Sequence, residues 1–270
     1  MDRYPYLVSI PHCGVEVPPG VADRILLDAN ALQYYSDPGS ESLYDFSSRV
    51  LACTSASVSR LIVDLNRPPY HIPPRYRDGV VKTNAADGTR IWQDGKTPDI
   101  LLMHRLLMAH YFPYHARLDQ LLGSGDILAA FDCHTMMKVG LAAQPDAGRQ
   151  RPLICLSNNG DPAGHARKGG LSTCSAGWIQ SLADIFREHF PGNGSVGINT
   201  PFSGGFISNA HYWHTGIPWI QIEINRSLYE REGSGFQTGV SVDNDRLREC
   251  RERIWDCLAG FYEQGPGTDS

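Results

Sequence analysis

The sequence carries no surplus of basic residues: 24 Lys and Arg stand against 29 Asp and Glu, a formal net charge of -5. Nucleic acids and anionic membranes are bound through basic faces, so neither is expected as a partner. No apolar run approaches the roughly 20 residues needed to cross a bilayer. The opening MDRYPYLVSIPHCG lacks the basic start and long apolar segment of a secretory signal, so a cytoplasmic protein is expected. The seven cysteines are odd in number and form no CxxC pair, which argues against a disulfide framework and for reduced thiols, most of them small core residues. There is no HExxH helix, and without GxSxG a serine hydrolase is a weak reading. Repeats, low-complexity tracts and Ser/Gly linkers are also missing, so residues 1–270 read as one domain.

What is present is an ordinary globular composition, 41% hydrophobic and 20% charged. Short apolar runs rich in β-formers predict strands at 6–10, 59–65, 126–132, 151–157 and 218–224. Their continuous apolar character predicts cover on both faces. Helical patterns occupy 23–35, 41–52, 98–122, 172–190 and 243–263, the last with Leu247, Ile254, Leu258 and Phe261 on one face. The alternation predicts a three-layer α/β domain. Two Gly/Pro-rich stretches, 66–99 and 191–217, have little periodicity, and irregular segments of that length are more often functional than idle.

Several predicted strands end in polar groups: His12 after the first, Asp132 and His134 on the third, Glu223 and Arg226 on the fifth, and Asp64, Asn66 and Arg67 at the tip of SRLIVDLNR. In open α/β sheets the ligand crevice lies outside the carboxyl ends of the strands. A catalytic zinc takes three protein ligands and keeps a position open, which makes His12 and His134 the best nitrogen donors. Asp132, two residues before His134, shares its face and can orient the imidazole. Each histidine alone also reads as a surface or hydrogen-bonded residue. Glu223 is either salt-bridged to an arginine such as Arg226 or a general base raised in pKa by burial. Arg67 and Arg226 suit an anionic substrate, or close internal salt bridges to Asp64 or Glu223. Cys133, beside His134, points to the opposite face and reads as core.

IPHCG, SDPGSESLYDF, SRLIVDLNRPP, PYHARL, FDCHTM, NTPFSGGFIS and IQIEINRSLY follow in the order seen in the N-formylglutamate amidohydrolase family, which the chain resembles over about residues 6 to 230. The wider clan is similar to zinc carboxypeptidases and aspartoacylases. The resemblance implies one αβα domain around a mixed, mainly parallel sheet, with His12 and His134 as ligands of Zn2+ or another divalent metal. Carboxypeptidase-like enzymes place the third ligand three residues after the first histidine, which here is Val15; the resemblance favours Asp37 of SDPGS over Glu16. It also implies Glu223 as the residue that activates water, and Asn66 and Arg67 as the clamp on a substrate carboxylate, with Arg60 and Arg226 facing the site. Gly204 and Gly205 are expected either to let a backbone approach the ligand or to make an ordinary turn.

The activity implied is hydrolysis of an N-formyl amino acid, N-formylglutamate first. Another N-acyl substrate from aromatic or heterocycle breakdown is the alternative, because Tyr70, Tyr76, Trp92, Tyr212 and Trp213 lie in the irregular stretches, where they supply either pocket contacts or lid and interface packing. A relative that binds ligand without catalysis is a third reading. The partner expected is a small anionic molecule, met by a monomer or homodimer.

Overall fold

The structure, a computed structural model, describes residues 3–265. Six strands, β1 (Tyr4–Ile10), β2 (Val50–Ser55), β3 (Ala129–Met136), β4 (Ile154–Ser157), β5 (Val196–Ile198) and β6 (Trp219–Asn225), form one sheet in the order β2-β1-β3-β6-β4-β5. Every neighbouring pair is parallel except β4 with β6. The sheet is mixed and mainly parallel, as expected. Because β1, β3 and β6 run the same way side by side, their carboxyl ends share one edge.

The two-residue period of the strands sorts their side chains into two cores. Tyr6, Val8 and Ile10, Phe131 and Cys133, and Ile220, Ile222 and Ile224 face α5 (Ala176–His189) and α7 (Asn244–Gln264). On α7, Leu247, Ile254, Leu258 and Phe261 are buried, as their spacing predicts, and Asp243 caps the first turn by accepting from the amides of Asp245 and Arg246. Leu7, Ala130 and Trp219 lie in the opposite core with α3 (Ile100–Leu106), α4 (Phe112–Leu122) and Ile207 of α6 (Phe206–Thr215). None of the seven cysteines is in a disulfide, and five are buried. Among the described residues, no helix is long and apolar enough to cross a membrane.

The structure corrects four expectations. Residues 59–65 are not a strand: Ile62 and Val63 donate their amides back to the Ser59 carbonyl and Asp64 to that of Val80, in a run of turns whose Leu61, Ile62, Val63 and Leu65 fill the second core. A short buried apolar run has the same pattern in either conformation. The helix expected at 41–52 is one turn, α2 (Ser40–Leu43), after which Val50 begins β2. Helix α1 (Ala29–Tyr35) is shorter than the pattern over 23–35 and follows a separate 3-10 turn at Pro19–Arg24. Residues 191–217, read as irregular, contain both β5 and α6.

The pattern over 98–122 does form a continuous helical path, with a π-helical turn at Leu107–Tyr111 between α3 and α4. Pro113 lies just beyond that turn. A proline cannot donate and its ring crowds the carbonyl four residues back, which the wider turn relieves.

Candidate metal centre and active site

His12 leaves the end of β1 and His134 stands on β3, one strand away. Both are buried, and the sheet places their rings 4.6 Å apart between centroids. Each imidazole is held from behind. His12 Nε2 lies 2.8 Å from Asp64 Oδ1, and His134 Nε2 lies 3.0 Å from Asp132 Oδ2. A carboxylate accepts, so each Nε2 carries the proton in the neutral ring and each Nδ1 lone pair points forward. What lies forward is Asp37. Its Oδ2 is 3.2 Å from His134 Nδ1 and 3.9 Å from His12 Nδ1, and the three donor atoms lie within 4.8 Å of one another.

Asp37 is fixed from both sides in the turn before α2. Its amide donates to the His12 carbonyl at 2.9 Å, and its Oδ2 accepts from the Thr135 amide at 3.1 Å. Glu16, the alternative third ligand, is exposed, and its backbone is bridged to Val58. The structure therefore brings Asp37, and not Glu16, to the two histidines.

Two observations show that the donor set fits a divalent cation. His12 Nδ1 is buried and has no hydrogen-bond partner, a costly state for a nitrogen acceptor. Burial, with the Arg60 guanidinium, lowers the His12 pKa to about 4, so the ring stays neutral and its lone pair free. At His134 burial favours the neutral ring, but the carboxylates of Asp132 and Asp37 outweigh it and hold the pKa well above the ordinary value. The centre thus calls for positive charge at the point where the three donors meet. Outer carboxylates that fix the tautomer are the usual support of metal-binding imidazoles.

Glu223 on β6 is the register partner of His134, and its side chain is buried on the same face. Burial, opposed by His134 and reinforced by Asp37, pushes its carboxyl up to about 8. It accepts from Gln221 Nε2 at 3.0 Å. The alternative pairing with Arg226 does not form: that guanidinium goes to Glu230 and, at 2.9 Å, to the Tyr34 carbonyl. Arg226 Nη2 is buried without a partner, and the residue lines the cavity.

The cavity in front of these groups has a volume of about 980 Å³. Arg60 and Arg67 also line it. Arg60 lies 3.5 Å from Asp37 and 3.4 Å from Asp64, whereas Arg67 pairs with Asp78 at 2.8 Å and not with Asp64 or Glu223. Asn66 reaches the site, but its amide is committed within the protein: Nδ2 donates to Asp132 at 2.8 Å, and Oδ1 accepts from the Ile207 amide at 2.8 Å. Gly205 serves that arrangement, since a Cβ there would collide with the Asn66 amide, so its close approach is to a neighbouring side chain. Gly204, at φ +123°, needs glycine for its backbone alone. Of the five aromatics read as either pocket contacts or lid and interface packing, none lines the cavity. Trp92 is buried in the second core, Tyr70 and Trp213 are exposed, and the cavity's aromatic lining is Tyr34, Tyr35 and Phe202.

Two groups escaped the sequence reading. Asp64, read as a polar group at the tip of SRLIVDLNR and as a salt-bridge partner for an arginine but not as a support for His12, accepts from His12, from the Asn66 amide at 2.9 Å and from Lys82 at 2.9 Å. Burial alone would raise its pKa, yet the Lys82 ammonium, with His12 and Arg60, holds it well below the carboxylate range. Lys82 itself is buried between Asp64 and Asp78, and the signal for it was a lysine directly after Val80 and Val81.

Compared with known proteins, residues 4–230 match the family described as N-formylglutamate amidohydrolase. The chain belongs to the N-formylglutamate amidohydrolase family. It is 32% identical to an N-formylglutamate deformylase of Pseudomonas aeruginosa over 97% of this chain and 96% of that protein. With an N-formylglutamate deformylase of Pseudomonas putida it shares 28% identity over 87% of this chain and 85% of that one. Among solved structures, an N-formylglutamate amidohydrolase from Ralstonia eutropha JMP134 superposes with a TM-score of 0.71 at 20% identity, covering 98% of this chain and 96% of that one. A gene product of Agrobacterium tumefaciens superposes with a TM-score of 0.65 at 17% identity, over 96% and 92% of the two chains. The N-formylglutamate amidohydrolase fold is thus shared along nearly the whole length.

Proposed function

We propose that this protein hydrolyses the amide bond of N-formylglutamate, releasing formate and glutamate, with a divalent metal, zinc first, held by His12, Asp37 and His134. The observation that carries the reading is the convergence of two forward-facing Nδ1 atoms and one carboxylate, with Glu223 on the adjacent strand. The names of the relatives supply the substrate. A metal at the three ligands would supply Lewis-acid polarisation of the formyl carbonyl and a lowered pKa for water. Glu223 takes a proton from the attacking water and delivers it to the departing nitrogen, a base that becomes an acid. Its burial suits both roles, because it keeps the carboxyl poised near neutrality. Asp64 and Asp132 hold the imidazoles, and Asn66 holds Asp132.

Arg226 anchors a substrate carboxylate. Its guanidinium is oriented by Glu230 and the Tyr34 carbonyl while one terminal nitrogen remains unpartnered, which makes it better prepared for a carboxylate than Arg67, already occupied by Asp78. Arg67 and Arg60 add positive potential to the same cavity.

The cavity's volume and its lining by Tyr34, Tyr35 and Phe202 favour a second reading, an N-acyl amino acid with a larger side chain. One experiment tests both: metal analysis of the purified protein, with formate release measured across N-formyl amino acids. Stoichiometric metal and a kcat/KM highest for N-formylglutamate are expected. A preference for aromatic N-formyl amino acids would install the second reading, and a metal-free protein with full activity would overturn the assigned centre.

A further inference from the structure

Building on the amide hydrolysis proposed above, we infer that Gln221 is a substrate-orienting residue whose carbonyl oxygen receives the N–H of the scissile amide. Gln221 lies on β6 two residues before Glu223, so both side chains share the face that carries Asp132 and His134. It lines the cavity and is only 4% exposed. Its Nε2 donates to Glu223 Oε1 at 3.0 Å. This leaves Oε1, which is buried and has no hydrogen-bond partner. A buried amide oxygen without a donor bears a desolvation penalty that an incoming N–H removes.

An N-formyl amino acid offers one such donor, the hydrogen on the nitrogen next to the attacked carbon. Accepted by Oε1, it brings that nitrogen beside Glu223, because the same glutamine amide is tied to the Glu223 carboxylate. The bond changes then balance. Water oxygen bonds to the formyl carbon as one of its protons passes to Glu223; the C–N bond breaks as Glu223 returns that proton to nitrogen, giving formic acid and an amine, and the acid's remaining proton passes to the amine to leave formate and an ammonium group. Nothing is oxidised or reduced. An ester of the same shape has no hydrogen at that position, so it leaves Oε1 unpaired, and a site built around a donor discriminates against an analogue that lacks it.

The test uses the full-length, metal-loaded protein and its Gln221→Met variant, with thermal midpoint and metal content confirming that the variant folds. Formate release is followed from N-formylglutamate and from 2-formyloxyglutarate, in which oxygen replaces N–H, after subtraction of spontaneous hydrolysis. Gln221→Met is expected to lower kcat/KM for the amide about tenfold or more while the ester changes far less, so that the amide-to-ester preference falls by about tenfold. Equal losses on both substrates would overturn the inference and leave Gln221 as a prop for Glu223. N-formyl-N-methylglutamate needs no variant: the wild-type protein should process it at least tenfold less well than its parent, and equal processing would also overturn the inference. No formate release from any of the three by the wild-type protein would instead overturn the hydrolysis reading, and this inference with it.

Discussion

The molecule contains two clusters of two histidines and one aspartate, and they are organised in opposite ways. In the first, His12, Asp37 and His134 point their donors at a common centre while Asp64 and Asp132 hold the outer nitrogens. In the second, on the α3–α4 side of the sheet, the groups are joined in series. Asp119 meets His211 Nδ1 at 2.9 Å, His211 Nε2 meets His115 Nδ1 at 2.9 Å, and His115 Nε2 donates to the Leu65 carbonyl at 3.0 Å. Every ring nitrogen of the series lies within hydrogen-bond distance of a group inside the protein. Burial lowers the pKa of His12 in the first cluster and of His115 in the second alike, to about 4, and lowers that of His211, so only His134, between the Asp132 and Asp37 carboxylates, is raised. Residue type alone does not make a candidate metal centre; donors that converge on one point do. The second cluster braces the loop that carries Asp64, Asn66 and Arg67.

The comparison can be sharpened by mutation, beginning with the largest effect. Glu223→Gln should reduce kcat by a factor of about 10² to 10⁴ with metal content unchanged, because the donors stay intact and only the proton carrier is lost. Retention of more than a tenth of wild-type turnover would remove Glu223 from the chemistry. His134→Ala should abolish stoichiometric metal, while His211→Gln should leave it in place. Equal metal loss in both variants, measured by elemental analysis, would erase the distinction drawn between the clusters. Asp64→Asn removes an outer carboxylate without touching a donor, and metal affinity by competition with a chelator should fall about 10- to 100-fold.

The smallest effect concerns stability. A His115 pKa below its unfolded value near 6.5 means that the folded state prefers the neutral ring. Its contribution is complete above pH 6.5 and is lost as pH falls through about 4, with a size of roughly 1 to 3 kcal/mol for this partly exposed group. Urea midpoints taken at pH 7 and pH 5 should therefore differ less in His115→Gln than in the wild type. An identical difference would show that His115 takes up no extra proton on unfolding.

The site was legible where strands deliver it. His12, Asp132, His134 and Glu223 stand out as polar groups on or just after apolar runs, and period-two alternation sent Cys133 into the opposite core. Asp37 has no such mark, since a turn aspartate before a short helix looks like a cap, and only the family resemblance singled it out. The run from Ser59 to Arg67 misled because a buried loop and a buried strand place apolar residues alike, and no local feature reveals that Ile62 turns back on Ser59. Val50 to Ala52, the start of β2, was absorbed into a helix because the pattern leading into it is amphipathic until Phe46. Asn66 was recognised as a site residue, but its partners, Asp132 and Ile207, lie 66 and 141 residues further on, a distance that no local pattern spans.

The register between β3 and β6 has a consequence for how such a protein can change. His134 and Glu223 are paired residues on adjacent parallel strands, so their separation is the sheet's own repeat of about 4.8 Å and not a product of side-chain tuning. A one-residue slip would turn Glu223 into the opposite core, and a two-residue slip would bring Gln221 or Asn225 to its place. Reaction geometry is in this sense inherited from the backbone, while the loops around the cavity mouth that hold no ligand or outer carboxylate, at 84–88 and 138–152, are free to drift. New substrates can be acquired by rewriting those loops without renegotiating the chemistry.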